Sequence, residues 1–167
     1  MKNAYFAGGC FWCIASVFDS TNGVTEVVSG FSGGSEPSPD YDDVKAQKTG
    51  HRETVMITYD ETAVSYAELV SILLANTDPY DPDGQFVDRG RSYSLAVYYE
   101  TPEEKETAAR LTASLERETG KPVYVAIEPF KSFYATEEYH QSYHKKHPEE
   151  FENELLVSGR KASRPRL

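Results

Sequence analysis

Short apolar runs with a two-residue period alternate with stretches of helical period along almost the whole chain. That alternation limits the architectures open to it. Tyr5-Phe6-Ala7 reads as a strand closed by the Gly8-Gly9 turn. Phe11, Ile14, Ala15 and Phe18 then recur at i, i+3, i+4 and i+7, which is one face of a helix. Residues 24–29 and the alternating 53–59 read as strands, separated by a Ser-, Gly- and Pro-rich loop over 31–43. Ser65 and Glu68 form a capping box ahead of an apolar face made by Tyr66, Leu69, Val70, Leu73 and Leu74. The Asp-, Pro- and Gly-rich segment 77–92 is a long loop, and loops of this length in a compact domain commonly serve function. Residues 93–99 read as a strand. Thr101-Pro102-Glu103-Glu104 opens a helix that Gly120 ends and Pro122 keeps from restarting. Residues 123–127 read as the last strand, and 136–147 as a helix stopped by Pro148, with a further turn through Leu156. This order needs helical crossovers. It predicts an α/β or α+β two-layer sandwich over one mixed sheet, with the termini and long loops gathered at the start of the first helix.

A chain of 167 residues suits one domain, expected over 1–157. The segment 158–167 carries Arg160, Lys161, Arg164 and Arg166 without apolar periodicity and reads as a mobile basic tail. Seventeen basic against 27 acidic side chains leave a net charge of −10, which speaks against nucleic-acid partners and against acidic membranes. No apolar run is long enough to span a bilayer, and the first seven residues do not make a secretory signal, so a cytoplasmic location is the expectation.

The only cysteines are Cys10 and Cys13. Two so close together cannot staple a fold of this size, and in a reducing compartment such a pair is reactive or metal-binding more often than structural. Cys10 falls at the start of the first helix, where unpaired N–H groups and the dipole favour an anion, so its thiol pKa is expected to be lowered. The i, i+3 spacing brings Cys10 and Cys13 near disulfide range, with some strain. Two other readings compete. Cys13 could simply pack, or the pair could be half of a zinc site completed from His140, His144 and His147, although packing or solvated histidines are commoner. No metal is expected, and the Asp78–Gly84 loop lacks the ligand spacing of a calcium site. Between the cysteines stand Phe11 and Trp12, the only Trp in the chain. Trp12 lies off the apolar face and is expected to be exposed. An aromatic wall beside a nucleophile suits a small apolar group such as a methyl.

The run Gly8-Gly9-Cys10-Phe11-Trp12 resembles the active-site motif of the A-class peptide methionine sulfoxide reductases. Gly30-Phe31-Ser32-Gly33-Gly34, Pro39-Asp40-Tyr41, Thr49-Gly50-His51-Arg52-Glu53, Tyr59-Asp60, Asp88-Arg89-Gly90 with Tyr93-Ser94, and Glu137-Glu138-Tyr139-His140-Gln141 match that family in order and spacing. The resemblance spans residues 5 to about 150. It implies an α+β sandwich related to the ferredoxin-like arrangement, and reduction of the S epimer of methionine sulfoxide, free or in proteins. It implies that Cys10 attacks the sulfoxide sulfur, that Phe11 and Trp12 hold the S-methyl group, and that Glu53 protonates the oxygen. Tyr41 and Tyr93 would hydrogen-bond that oxygen, with Asp88 shaping the polar side. No cofactor is implied, and thioredoxin or another thiol would recharge the enzyme, which is expected to be a monomer although the sequence does not fix its oligomeric state. The chemistry asks for the same groups independently. A sulfoxide oxygen leaves poorly until protonated, and a carboxylic acid does this at neutral pH only when burial raises its pKa. Glu53 shares a strand face with Val55 and Ile57, which is consistent with that, although on the residues alone Glu53 reads as a solvated strand-end carboxylate, Tyr41 as a rim residue and Tyr93 as a cross-strand packer. Two features depart from the family pattern. The C-terminal segment 157–167 lacks the resolving cysteines many members carry, which leaves Cys13 as the in-chain candidate to resolve Cys10. The segment Asp88–Leu95 also lacks the Gln and the Arg that flank Tyr in the usual pattern, so its bracing is expected to differ. The competing enzyme class is a glutaredoxin-like thiol–disulfide oxidoreductase, which also opens a helix with Cys-x-x-Cys.

Overall fold

A computed structural model describes residues 1–158 and 160. In chain order it runs β1 (Lys2–Gly8), α1 (Phe11–Asp19), β2 (Val24–Ser32), α2 (Tyr41–Lys45), β3 (Arg52–Tyr59) and α3 (Tyr66–Ala75). A two-stranded ribbon, β4 (Gly84–Gln85) and β5 (Asp88–Arg89), precedes β6 (Leu95–Tyr99) and α4 (Pro102–Thr119). Then come β7 (Ala126–Pro129), β8 (Tyr134–Ala135), α5 (Tyr143–Lys146) and α6 (Pro148–Ser158).

Six strands form one sheet in the order β7-β6-β1-β3-β2-β8. All neighbours are antiparallel except β6 and β7. The pairs β1 and β2, β3 and β6, and β6 and β7 each run the same way, so each needs a crossover, and α1, α3 and α4 supply them. The fold is therefore α+β with a mixed sheet, as the alternation predicts.

The two-residue period sorts the sheet into two faces. Ala4, Phe6, Val55, Ile57, Tyr59 and Val97 point to the helices and pack with Phe11, Ile14 and Phe18 of α1 and Leu69, Val70 and Leu73 of α3. Burying an aromatic or aliphatic side chain of this size contributes about 1.5–3 kcal/mol, so this face carries most of the stability. Tyr5, Ala7, Ala96 and Tyr98 point the other way, where Phe130 and Phe133 cover them. The capping box at Ser65 and Glu68 is formed, and Gly120 ends α4 in the left-handed region.

Five expectations need correction. The strand expected from residue 93 begins at Leu95, because Arg91–Tyr93 is a 3₁₀ turn after Gly90. The strand expected over 123–127 shifts to Ala126–Pro129, because the Tyr124 N–H donates to Pro79 O at 2.7 Å instead of joining the sheet. The loop expected over 31–43 is shorter: Phe31 and Ser32 still belong to β2, and Asp40 caps α2. The helix expected over 136–147 does not exist as one element. Gln141 bonds Ser29 N, Ser29 O and Thr136 O through its side chain, pinning this stretch to β2, and Ser142 adopts a φ of 51°. What remains is a 3₁₀ turn over Glu138–His140, then α5, then α6 as a helix of 11 residues. The loops do converge on the start of α1, but the N-terminus lies at the opposite end of β1. The tail expected to be mobile lies outside the described residues, except for Ser158, which closes α6, and Arg160, which is 2% exposed. No helix among the described residues is long and apolar enough to cross a membrane.

Candidate active site

The sheet delivers a cysteine to the head of a helix through one sharp turn. β1 ends at Gly8, Gly9 takes a φ of +86°, and Cys10 is the N-cap residue of α1. That backbone conformation suits glycine alone, and a Cβ on Gly9 would also collide with Gln85 and Arg160. The Cys10 carbonyl accepts from both Cys13 N–H (3.1 Å) and Ile14 N–H (3.3 Å), which tightens the first turn. Cys10 is half-buried and Cys13 buried, both as thiols. Cys13 packs with Tyr143, Phe151 and Leu155.

The helix start does not lower the Cys10 pKa, contrary to the sequence expectation. The contact with the Cys13 thiol, then burial, then the Glu53 and Asp88 carboxyls push it well up. These outweigh a helix-end effect of roughly 0.3–1 kcal/mol at an ordinary site. At rest Cys10 is a thiol.

Glu53 sits in β3 opposite Phe31, 2% exposed. Its Oε1 accepts from the Phe11 N–H at 3.1 Å, which ties the carboxyl to the first turn after Cys10. Its Oε2 is buried with no hydrogen-bond partner among the described residues. Burial raises its pKa from 4.5 to about 8, partly offset by the Phe11 N–H and reinforced by Asp88. Glu53 is therefore a carboxylic acid at neutral pH, with one oxygen anchored and the other available.

Tyr41 stands at the start of α2 and Tyr93 at the end of the 3₁₀ turn. Burial raises the pKa of each phenol, and the neighbouring Glu53, Asp88 and Cys10 groups, once ionised, raise both further. That mutual influence gathers Cys10, Glu53, Tyr41, Tyr93 and Asp88 into one site, and both tyrosines remain proton-bearing donors. Asp88 itself is raised by burial, while Arg160 pulls it down. Bracing of the Asp88–Leu95 segment comes from elsewhere in the chain. Gln47 accepts from Ser92 N–H and donates to Ser92 Oγ, Arg91 Nε donates to Gly50 O, and Arg52 Nε donates to Ser94 Oγ.

Phe11 and Trp12 form the apolar side, but Trp12 is half-buried rather than exposed. Its ring stacks on Tyr143 at 3.9 Å, and its Nε1 donates to His140 Nδ1 at 3.2 Å. His140 also stacks on Tyr41 at 4.1 Å. Burial lowers its pKa, which keeps the imidazole neutral and able to accept from Trp12. His140 is thus an aromatic brace, and His144 faces Asp19 at 3.2 Å instead of sharing a site with it. Among the described residues no three His, Cys, Asp or Glu side chains come together to hold a metal ion. His140 and Tyr143 belong to the site, but the sequence reading places His140 only as a possible zinc ligand and gives Tyr143 no role. Only the Glu137–Gln141 run pointed to the first, and nothing pointed to the second. The 700 Å³ groove lined by Arg52, Arg91, Tyr124 and Ala126 contains none of the site residues.

A nucleophile poised beside a protonated carboxyl, two phenol donors and an aromatic wall is the equipment of a thiol-dependent reductase. The comparisons with known proteins narrow that class. The family model for peptide methionine sulfoxide reductase matches residues 2–165. The peptide methionine sulfoxide reductase MsrA of Streptococcus pyogenes (strain Manfredo) is 44% identical over 153 residues, 90% of each chain. That of Halalkalibacterium halodurans is 42% identical over 162 residues, 96% of this chain and 92% of its own. Among solved structures, methionine sulfoxide reductase A of Corynebacterium diphtheriae superposes with a TM-score of 0.80 at 29% identity, covering 88% of this chain and 75% of that one. Mxr1 from Saccharomyces cerevisiae in reduced form gives 0.83 at 25% identity, with 89% and 86% coverage. The chain belongs to the peptide methionine sulfoxide reductase family.

Proposed function

We propose that this chain reduces the S epimer of methionine sulfoxide, free or in proteins, to methionine, and so repairs oxidised protein. The observation that carries this is Glu53: a buried carboxyl whose pKa burial raises to about 8, one oxygen held by Phe11 N–H and the other without a partner among the described residues, beside the helix-head Cys10. Cys10 Sγ attacks the sulfoxide sulfur. Glu53 gives its proton to the sulfoxide oxygen through Oε2, and its carboxylate takes up the Cys10 thiol proton, so no stable thiolate is needed. Tyr41 and Tyr93 donate hydrogen bonds to the same oxygen, and Phe11 and Trp12 hold the methyl. As the bond between Cys10 Sγ and the methionine sulfur forms, the protonated oxygen leaves as water; water then attacks Cys10 Sγ and breaks that bond, so methionine leaves and Cys10 is left as a sulfenic acid. Asp88 closes the polar side, where its charge helps to keep Glu53 protonated.

The Cys13 thiol then condenses with the sulfenic acid, forming the Cys10–Cys13 disulfide and water. Thioredoxin or another thiol reductant restores both thiols, and a tight ring at i, i+3 spacing favours that reduction. The enzyme is a monomer in the cytoplasm, with residues 1–157 as its catalytic domain.

Two experiments bear on the parts. Cys13→Ser should keep single-turnover methionine release, lose thioredoxin-driven turnover and accumulate sulfenic acid at Cys10. Wild-type turnover with thioredoxin would reduce Cys13 to a packing residue. Trp12→Ala should weaken reduction of methionine sulfoxide and dimethyl sulfoxide while leaving the Cys10 pKa in place, since the ring touches His140 and Tyr143 and carries no charge. A Cys10 pKa shift large enough to explain the loss would make the ring a tuner of the thiol instead. A glutaredoxin-like role is not favoured by the family match, and it predicts reduction of a mixed glutathione disulfide in place of stoichiometric consumption of a methionine sulfoxide peptide. A purely binding role predicts peptide capture that survives Cys10→Ser, with no turnover in any variant.

A further inference from the structure

Arg160 follows α6 and returns to the foot of the turn that presents Cys10. Its Nη2 donates to Gly8 O at 2.7 Å and its Nη1 to Asn76 O at 3.4 Å. The guanidinium lies over the Phe86 ring, 4.8 Å from its centre. Its Nη2 also fills the space that a Cβ on Gly9 would need. One side chain thus touches the end of β1, the end of α3 and the residue after β4, all around the catalytic turn. Nothing in the reaction described above uses it.

We infer that Arg160 is a positioning residue for the sulfoxide reaction: it clamps the Gly8-Gly9 turn that aims Cys10 and places a fixed cation on the β4–β5 ribbon that carries Asp88. This rests on the reading of Cys10 and Asp88 given above. Two consecutive glycines leave a turn with little stiffness of its own, because neither carries a side chain to pack. A charge-assisted bond from a planar, always-charged guanidinium to the Gly8 carbonyl supplies the missing constraint. Aim matters at this point, since displacing a reacting group by roughly 1 Å can cost on the order of 10²-fold in rate. The charge acts on a second group. Burial raises the Asp88 pKa and Glu154 of α6 adds to it, while Arg160 and, from α2, Lys45 pull it down. Asp88 in turn acts on Cys10, Glu53, Tyr41 and Tyr93. An arginine following the last helix thereby connects the C-terminal segment, which carries no cysteine in this chain, to the chemistry at the first helix.

The test uses the full chain with Arg160→Met, which keeps an aliphatic stem against Phe86, and Arg160→Lys, which keeps the charge. In Arg160→Met the single-turnover rate should fall about tenfold or more, with half-saturation by methionine sulfoxide shifting less than about threefold. The Asp88 carboxyl titration, followed by carbon NMR in substrate-free protein, should move to higher pH. A structural plug alone would leave that titration where it was. Arg160→Lys should return the Asp88 titration toward wild type while the rate stays depressed, because the bond to Gly8 is not rebuilt. Wild-type rate or an unmoved Asp88 titration in Arg160→Met overturns the inference. Should Arg160→Met lose its cooperative melt, Arg160→Lys decides: a lowered rate with an unshifted melt supports the role, and a wild-type rate overturns it. The NMR reading needs no substrate, so it still tells whether Arg160 sets Asp88 if wild-type protein fails to reduce the sulfoxide.

Discussion

Cys10→Ser should release no methionine from methionine sulfoxide, even in a single turnover and at high protein concentration. A serine oxygen cannot be left as a sulfenic acid, so the step has no product to form. Cys13 cannot stand in, because it is buried against Tyr143, Phe151 and Leu155 on the side of α1 that faces α5 and α6. The loss will not reflect unfolding. The Cys10 side chain makes no capping bond in the wild type, and serine is among the best N-cap residues. The variant should therefore melt at or above the wild-type temperature. Methionine release at a substantial fraction of the wild-type single-turnover rate would remove Cys10 from the reaction.

Glu53→Gln should lower the single-turnover rate by about 10²–10⁴-fold, the usual worth of a general acid. The amide can still accept from Phe11 N–H, so the fold and the first turn of α1 should survive, but it has no proton to give at neutral pH. The pH dependence carries the sign. Burial raises the folded-state pKa to about 8, so Glu53 is in its acid form at neutral pH. The rate should hold up to neutrality and fall as the pH rises through about 8, and that limb should vanish in Glu53→Gln. Tyr41→Phe and Tyr93→Phe should each cost less, since each removes one of two donors. Rates in Glu53→Gln close to wild type would hand the proton to another group.

Much of this was legible in the sequence because it depends on local chemistry. Phe11, Ile14 and Phe18 repeat at helical spacing, Ser65 and Glu68 form a two-sided cap, and Glu53, Val55 and Ile57 share a strand face, all of which the chain encodes within ten residues. What escaped depends on distant partners. Whether the Cys10 pKa falls or rises is decided by Cys13, Glu53 and Asp88, and the helix end alone pointed the wrong way. The helix expected over 136–147 is broken because the Gln141 side chain finds Ser29 across the sheet edge, leaving a 3₁₀ turn and the short α5 in place of one element. Trp12 looked exposed because its partners, His140 and Tyr143, lie more than a hundred residues along the chain. The bracing of the Asp88–Leu95 segment was likewise out of reach, since Gln47 lies far from Ser92 in sequence.

The most direct test of the whole account is a mass spectrum of the reduced protein after one turnover with methionine sulfoxide and no added reductant. About one methionine should appear per chain, as the single-nucleophile mechanism requires. The wild-type chain should emerge two hydrogens lighter, with peptide mapping placing a bridge between Cys10 and Cys13. The Cys13→Ser chain should emerge one oxygen heavier, with the oxygen on Cys10. A chain of unchanged mass with no methionine released, or an oxygen carried anywhere but on Cys10, would contradict the account.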